Sequence, residues 1–366
     1  MIFLGEASNY IGKVAHHTFS LGFPHHSADL RAYLAGRYDA DLKTISLTSN
    51  GRSALCLALK SLIPPNSEVV LNAFTCHAIL VAIREAHCTP VFADIDEDTL
   101  HYSEKTLSSL LKSHKNIKAF IIQNSLGYPV DIRPFETLAK KNNLVMIEDM
   151  AHCAGRLYPD GRECGSVGDA ACFSFGKGKS IDTITGGALL FHSTPVFPQP
   201  SPRRRPRFSA NFRARLYPFF GVLLRASFKA KMNKILAGIL LKLHLIERSA
   251  DSPLDLSRRL AHWQSRLALE SFEKLKPTKS PLREFVLVDN RDDILDDLRD
   301  SGYIFDEFWY EVPISPARYY SYSGFDESAC PVATSVSKRI LNLPTWYDEK
   351  YLKKARKIIK DAAHGN

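Results

Sequence analysis

The sequence predicts an α/β protein: a mostly parallel central sheet with helices on both faces, followed by a smaller C-terminal α+β domain. Two observations carry that expectation. From Ile45 to Asp149, short apolar runs alternate with stretches whose apolar residues recur at helical spacing, the order that strand–helix–strand crossovers impose on a parallel sheet. At 366 residues the chain is also long enough for a large domain and a smaller one, and its 45% hydrophobic and 24% charged residues are those of an ordinary soluble globular protein.

Residues 1 to about 40 carry little pattern beyond the pair His25-His26 and a helix expected near Ala28 to Leu34. The opening run MIFLGEASNYIGKVAHH lacks the basic flank, long apolar stretch and small-residue cleavage site of a signal peptide, so the expected compartment is the cytoplasm. Seven cysteines, an odd number without paired metal-ligand spacing, read as small core residues in a reducing compartment, and no metal site is expected.

Ile45 to Thr48 reads as a strand, Ser49-Asn50-Gly51 as a turn, and Arg52 to Leu62 as a helix with Leu55, Ala58, Leu59 and Leu62 on one face. Glu68 to Leu71 is the next strand and Cys76 to Ala86 its helix. Thr89 to Asp94 and Ile117 to Gln123 are further strands, Phe135 to Lys141 is helical, and the strand Leu144 to Asp149 ends on two acids. Gly168 to Phe191 then reads strand, Gly/Ser/Thr loop, strand, with Lys179 inside the loop.

In such sheets, ligands gather beyond the C-terminal strand ends. Ser49-Asn50-Gly51-Arg52 turns one strand end into a helix N-terminus, whose free N–H groups and dipole suit a phosphate, although many such turns look alike. Asp149 ends a strand too apolar for the surface, where a carboxylate must be paired, hydrated or functional; capping the run Met150-Ala151-His152 is its plainer role. Lys179 by itself reads as a solvated loop lysine. Gly178-Lys179-Ser180 imitates a P-loop, but that motif needs a glycine where Phe173 stands, which removes nucleoside-triphosphate binding. A phosphate cradle, a buried acid and a reactive lysine on one sheet edge are together what pyridoxal 5'-phosphate requires.

Several longer segments point the same way: SNGRSAL at Ser49, EVVLNAFTCHA at Glu68, TPVFADID at Thr89, LGYPVDI at Leu126, VMIEDMAHCAG at Val145, GSVGDAACFSFGKGK at Gly165 and GGALL at Gly186. In order and spacing they resemble the DegT/StrS-type sugar aminotransferases, a branch of the fold-type-I pyridoxal-phosphate enzymes. RLALESFEKL at Arg266 is similar to the family's helix entering the small domain, and RILNLPTW at Arg339 to its closing segment. The resemblance implies that the Lys179 amine joins the cofactor aldehyde and carries the proton between substrate and cofactor carbons. Asp149 would pair with the pyridinium nitrogen, and His152 would stand within reach of the phenolic oxygen. Ser174, with Gly51 and Arg52, would hold the phosphate. It also implies a homodimer with sites at the interface.

Three positions depart from the family pattern. Arg52 replaces the usual Thr after the turn glycine, and its guanidinium either binds phosphate or points to water. Cys76 stands where a stacking aromatic is common, leaving Phe74 or His77 to supply the stacking. Thr185 replaces the acid before the paired glycines, which bears on substrate placement. With Lys179 present, the family's dehydratase variants are not expected.

The charge of +9 is concentrated. Between Arg203 and Arg248 there are twelve Lys or Arg against one acid, Glu247, leaving 36 basic and 38 acidic residues elsewhere. This balance disfavours nucleic acid as a partner for the body of the protein. A Pro/Arg tract leads into two apolar-basic stretches: Leu216, Phe219, Phe220 and Leu223 group opposite Arg225 and Lys229, and Ile235, Leu236, Ile239 and Leu243 group further on. Neither stretch has the ~20 uncharged residues that span a bilayer. The segment suits either the anionic inner membrane surface or packing against the sheet, a dimer partner or substrate phosphates.

Leu256 to Leu275 is expected as one long helix, Phe285 to Val288 as a strand, and Ile294 to Arg299 and Lys350 to Ala363 as helices, the last with a solvated basic face. Trp309-Tyr310 and Tyr319-Tyr320 suit packing better than stacking on a sugar or a base. The expected organisation is a large cofactor-binding domain over 1–195, a basic insert over 196–250 and a linking helix with a small domain over 251–366. The expected activity moves an amino group from an amino acid, glutamate foremost, to a nucleotide-linked keto-sugar for glycan or polysaccharide biosynthesis. The rivals are a pyridoxal-phosphate reaction on a non-sugar carbonyl, and a catalytically silent scaffold recruited to membranes.

Overall fold

A computed structural model of the protein describes residues 2–4, 13, 27–228, 230–247, 254–305 and 309–364; His25, His26, Lys229 and Arg248 lie outside the described residues. Seven strands form the central sheet: β1 Ser46–Thr48, β2 Glu68–Asn72, β3 Thr89–Ala93, β4 Ile117–Ile122, β5 Val145–Asp149, β6 Ala170–Ser174 and β7 Gly187–Phe191. Their spatial order is β1-β7-β6-β5-β4-β2-β3. Only β7 runs antiparallel to its neighbours, so β1, β5 and β6 all point their C-terminal ends at one edge, where β7 begins.

The helices α1 Ser27–Arg37, α2 Gly51–Leu62, α3 His77–Glu85, α4 Glu104–Ser113 and α5 Arg133–Asn142 cover the sheet. Side-chain alternation in β4 shows why two covers are needed. Ala119 and Ile121 join Leu55, Leu59, Leu80 and Ile83 on one face, while Phe120 and Ile122 join Leu30, Leu34, Phe135 and Met146 on the other. The α2 helix starts where Asn50 caps it, accepting a hydrogen bond from Ser53 N at 2.8 Å. Ser103 does the same for α4, a helix the sequence pattern did not reveal, accepting from Thr106 N at 3.1 Å.

Beyond β7 come α6 Phe208–Phe228, α7 Asn233–Lys242 and α8 His262–Lys274. The expected long helix from Leu256 is therefore shortened. Residues before His262 instead pair with other backbone: Ser49 N donates to Arg258 O, Arg204 N to Ser257 O and Arg259 N to Arg204 O, which lays this run along the end of β1. The C-terminal part pairs β8 Arg283–Leu287 antiparallel with β9 Ile340–Pro344. Around them, α9 Arg291–Asp300, α10 Pro331–Arg339 and α11 Glu349–His364 complete the chain. The last helix is more than a solvated face: its Leu352, Ala355 and Ile359 are buried against Ile294, Leu298 and Leu341. Ile314–Ser315 pairs in parallel with Thr75–Cys76, which carries this part back onto the sheet edge. No helix among the described residues is long and apolar enough to cross a membrane.

Candidate active site

The turn after β1 is built for close approach. A Cβ on Gly51 would lie 2.6 Å from Ser174 Cβ, so the first residue of α2 and the last residue of β6 touch through bare backbone. Thr185 Oγ1 donates to Ser49 O at 2.9 Å, tying the exit of the Lys179 loop to the same turn. The hydroxyls of Ser49 and Ser53 are buried there without a hydrogen-bond partner. Unpartnered donors beside a helix N-terminus fit a phosphate group.

Two strands away, Asp149 ends β5 with its carboxylate accepting from Ala151 N at 3.0 Å. Burial pushes this carboxyl up to about 6, against the opposing pull of that N–H and of Lys179. Lys179 Nζ lies 2.9 Å from His152 Nε2. His152 Nδ1 accepts from Leu126 N at 3.1 Å, and burial beside Lys179, Arg156 and Arg283 pulls the ring well below its ordinary value. A neutral imidazole that accepts at Nδ1 carries its proton on Nε2. Nε2–H therefore points at Lys179 Nζ, a geometry that favours the neutral form of that amine. Burial independently lowers the Lys179 amine, with Arg283 adding to the effect and Cys76, Asp149 and Asp182 opposing it.

The C-terminal part supplies a cover. Trp309 stacks on His152 at 5.0 Å between ring centroids and 20° between planes, and Lys179 Nζ lies 4.7 Å from the Trp309 centroid. Buried Arg283 lies 4.9 Å from the same centroid, donates to Asn342 Oδ1 at 2.6 Å and is pulled down to about 9 by burial. Asn342 Nδ2 in turn donates to Trp309 O at 2.9 Å. The loop is braced from within: the Asp182 carboxylate accepts from Gly178 N and Ile184 N and pairs with Lys13 at 2.6 Å. Arg156 donates to Ser180 Oγ at 2.6 Å, and Gln264 Nε2 to Thr185 O at 2.7 Å.

A sequence model described as the DegT/DnrJ/EryC1/StrS aminotransferase family matches residues 37–361. The chain belongs to this family. It is 26% identical to a UDP-N-acetyl-3-dehydro-alpha-D-glucosamine 3-aminotransferase of Acidithiobacillus ferrooxidans, over 87% of this chain and 84% of that protein. It is 35% identical to a GDP-perosamine synthase of Escherichia coli O157:H7, over 41% of this chain and 40% of that protein. In fold it is similar to Spr1654 of Streptococcus pneumoniae in its PLP form, with a TM-score of 0.64 at 18% identity over 95% of this chain and 94% of that one. A PMP form of Spr1654 is also solved.

Among the residues singled out from this aminotransferase sequence, the structure brings Lys179 and His152 into contact and sets Asp149 and Cys76 close enough to act on the Lys179 amine. Gly51 and Ser174 meet at the turn. His77 stacks on Tyr319 at 4.6 Å with 10° between planes, and burial lowers its titration, with Arg84 and then Arg52 adding to the effect. Phe74, considered for stacking, is fully buried against Tyr310. Trp309, read from the sequence as a packing aromatic, lies over the candidate site. Sequence reasoning missed two contributors, Arg283 and the Leu126 N–H. LGYPVDI had marked the second, but only as a motif, because a backbone donor leaves no residue type to recognise.

Proposed function

We propose that this family member is a pyridoxal 5'-phosphate-dependent aminotransferase moving an amino group from an amino acid, glutamate foremost, to a nucleotide-linked keto-sugar for glycan or polysaccharide biosynthesis. In this reading it works in the cytoplasm as a homodimer, with peripheral membrane contact through 203–248. The carrying observation is the pairing of Lys179 with His152 on the sheet edge that also holds Asp149 and the Gly51–Ser174 turn. The two curated relatives, named for a UDP-linked and a GDP-linked sugar, support the substrate class.

When bound, pyridoxal phosphate supplies an aldehyde that joins amines and a ring that takes up electrons as the substrate C–H bond breaks. Ser49, Gly51, Ser53 and Ser174 would hold its phosphate at the N-terminus of α2, with Arg52 beside them. Asp149 would face the ring nitrogen, where a protonated nitrogen draws its carboxyl back toward the ionised form. His152 would present Nε2–H toward the phenolic oxygen. Lys179, its amine lowered by burial, would both bond the aldehyde carbon and move a proton at Nζ. Cys76 and His77 would line the sheet-edge side, and Trp309 covers one side of Lys179.

Protein purified with pyridoxal phosphate should absorb near ~420 nm, and the band should shift on adding glutamate. Absence of the band sinks the enzyme reading. Mass spectrometry of products from a panel of UDP-, GDP- and dTDP-linked keto-sugars then tests the substrate class. Amination of simple ketones alone would move the assignment to a non-sugar carbonyl.

A further inference from the structure

Exposed apolar surface is not spread evenly over this protein. Fifteen large hydrophobic residues are exposed among the described residues, and eight of them lie between Phe208 and Leu243. On α6 they are Phe208, Phe212, Phe219 and Leu223, which fall within an arc of roughly 60° at 100° per residue. Ile235, Ile239 and Leu243 form a matching line on and just beyond α7, which packs beside α6.

The stripe is not waiting for the body of the protein, because α6 holds the body with its opposite face. Ala214 packs with Trp263 and Leu267, Tyr217 OH accepts from Lys177 Nζ at 2.6 Å, Arg225 lies over Phe3, and Phe228 meets Phe3 edge-on. These positions share one side of the helical wheel, and the exposed phenylalanines share the other.

The rim of the stripe carries one sign of charge. Arg203, Arg204, Arg205, Arg207, Lys231, Lys234 and Lys242 are exposed, and Glu247, the single acid of the segment, is bound to Arg213. A second copy of so uniformly basic a face would meet it with like charge, which opposes self-association through it. A surface combining apolar depth with dense negative charge complements it.

We propose that the α6–α7 hairpin docks on the anionic surface of a phospholipid bilayer, lying in the interface with Phe208, Phe212, Phe219, Leu223, Ile235 and Ile239 among the acyl chains and its basic rim among the headgroups. The proposal deepens the membrane contact read above for 203–248 and rests on that reading; it is independent of which sugar is aminated. Because Tyr217 sits against Lys177, docking places the Lys179 loop about one helix diameter, ~10 Å, from the bilayer.

The test is flotation of the full-length protein with vesicles of phosphatidylglycerol and phosphatidylcholine, and with phosphatidylcholine alone, at low salt. The expected result is co-flotation with the anionic vesicles only. A variant carrying Phe212→Ser, Phe219→Ser, Ile235→Ser and Ile239→Ser should lose at least tenfold in vesicle affinity while keeping its visible cofactor band and its sedimenting mass. The proposal is overturned if the wild-type protein does not float with anionic vesicles, or if the variant floats as well as the wild type. It is equally overturned if the variant's sedimenting mass halves without lipid, which would assign the stripe to a second copy. A missing cofactor band in the wild type would count against the aminotransferase reading alone.

Discussion

The Lys179 loop and the α6–α7 hairpin are both rich in basic residues and treat them in opposite ways. In the loop, the Asp182 carboxylate, Arg156 and Gln264 brace the chain, and half-buried Lys179 meets His152 and Trp309. Burial works against a charged amine there and lowers Lys179, which suits the reagent's role proposed for it. In the hairpin, Lys231, Lys234 and Lys242 stand in solvent beside exposed Ile235 and Ile239. Exposed cations act on partners through long-range attraction instead. What a lysine does in this protein is decided by what surrounds it.

The contrast is broken most severely at its centre. Lys179→Ala should abolish the visible band and slow the glutamate half-reaction by at least ~10³-fold, followed by stopped-flow absorbance, while leaving vesicle flotation intact. Asp149→Asn should keep the band and slow the same half-reaction by ~10²-fold, since the ring nitrogen loses its anionic partner. Trp309→Ala removes the stack on His152 and should lower kcat/KM by up to about tenfold with little change in cofactor content.

A smaller effect reads burial directly. In cofactor-free protein the Asp149 carboxyl is raised to about 6, above its unfolded value of ~3.9. The folded state thus holds the extra proton, and Asp149's contribution to stability is present at acid pH and lost as pH rises through about 6. Relative to Asp149→Asn, the wild-type melting temperature should fall between pH 5 and pH 7 in thermal scans, and added pyridoxal phosphate should reverse the fall. The smallest effect belongs to the hairpin: Phe219→Ser or Ile239→Ser, each at 49% exposed positions, should change unfolding free energy in denaturant titrations by less than ~0.5 kcal/mol.

Much of the candidate site was legible in the sequence because its parts are local. Asp149 ends one apolar strand and Lys179 lies in the loop after another, so residue type and short spacing mark both positions. Less legible were contacts made across hundreds of residues. Trp309 reaches His152 only after Ile314–Ser315 pairs with Thr75–Cys76, and Arg283 holds Asn342 only because β8 and β9 lie side by side. Residues 256–261 carried helical periodicity, yet they pair with Arg204 and the end of β1 because those backbone groups also need partners. The absent acid at Thr185 finds a structural use, since a hydroxyl donates to Ser49 O where a carboxylate has no proton to offer.

By itself, the sequence determined the alternation of strand and helix, the chemistry gathered at the ends of β5 and β6, and the basic character of 203–248. These depend on residue type and short spacing, which a linear chain displays. The tertiary structure alone decided that His152 turns its Nε2 proton to Lys179, that Trp309 covers both, and that the apolar faces of α6 and α7 point outward. Hydrogen-bond direction, burial and exposure arise when distant segments meet, and no residue carries them before the chain folds.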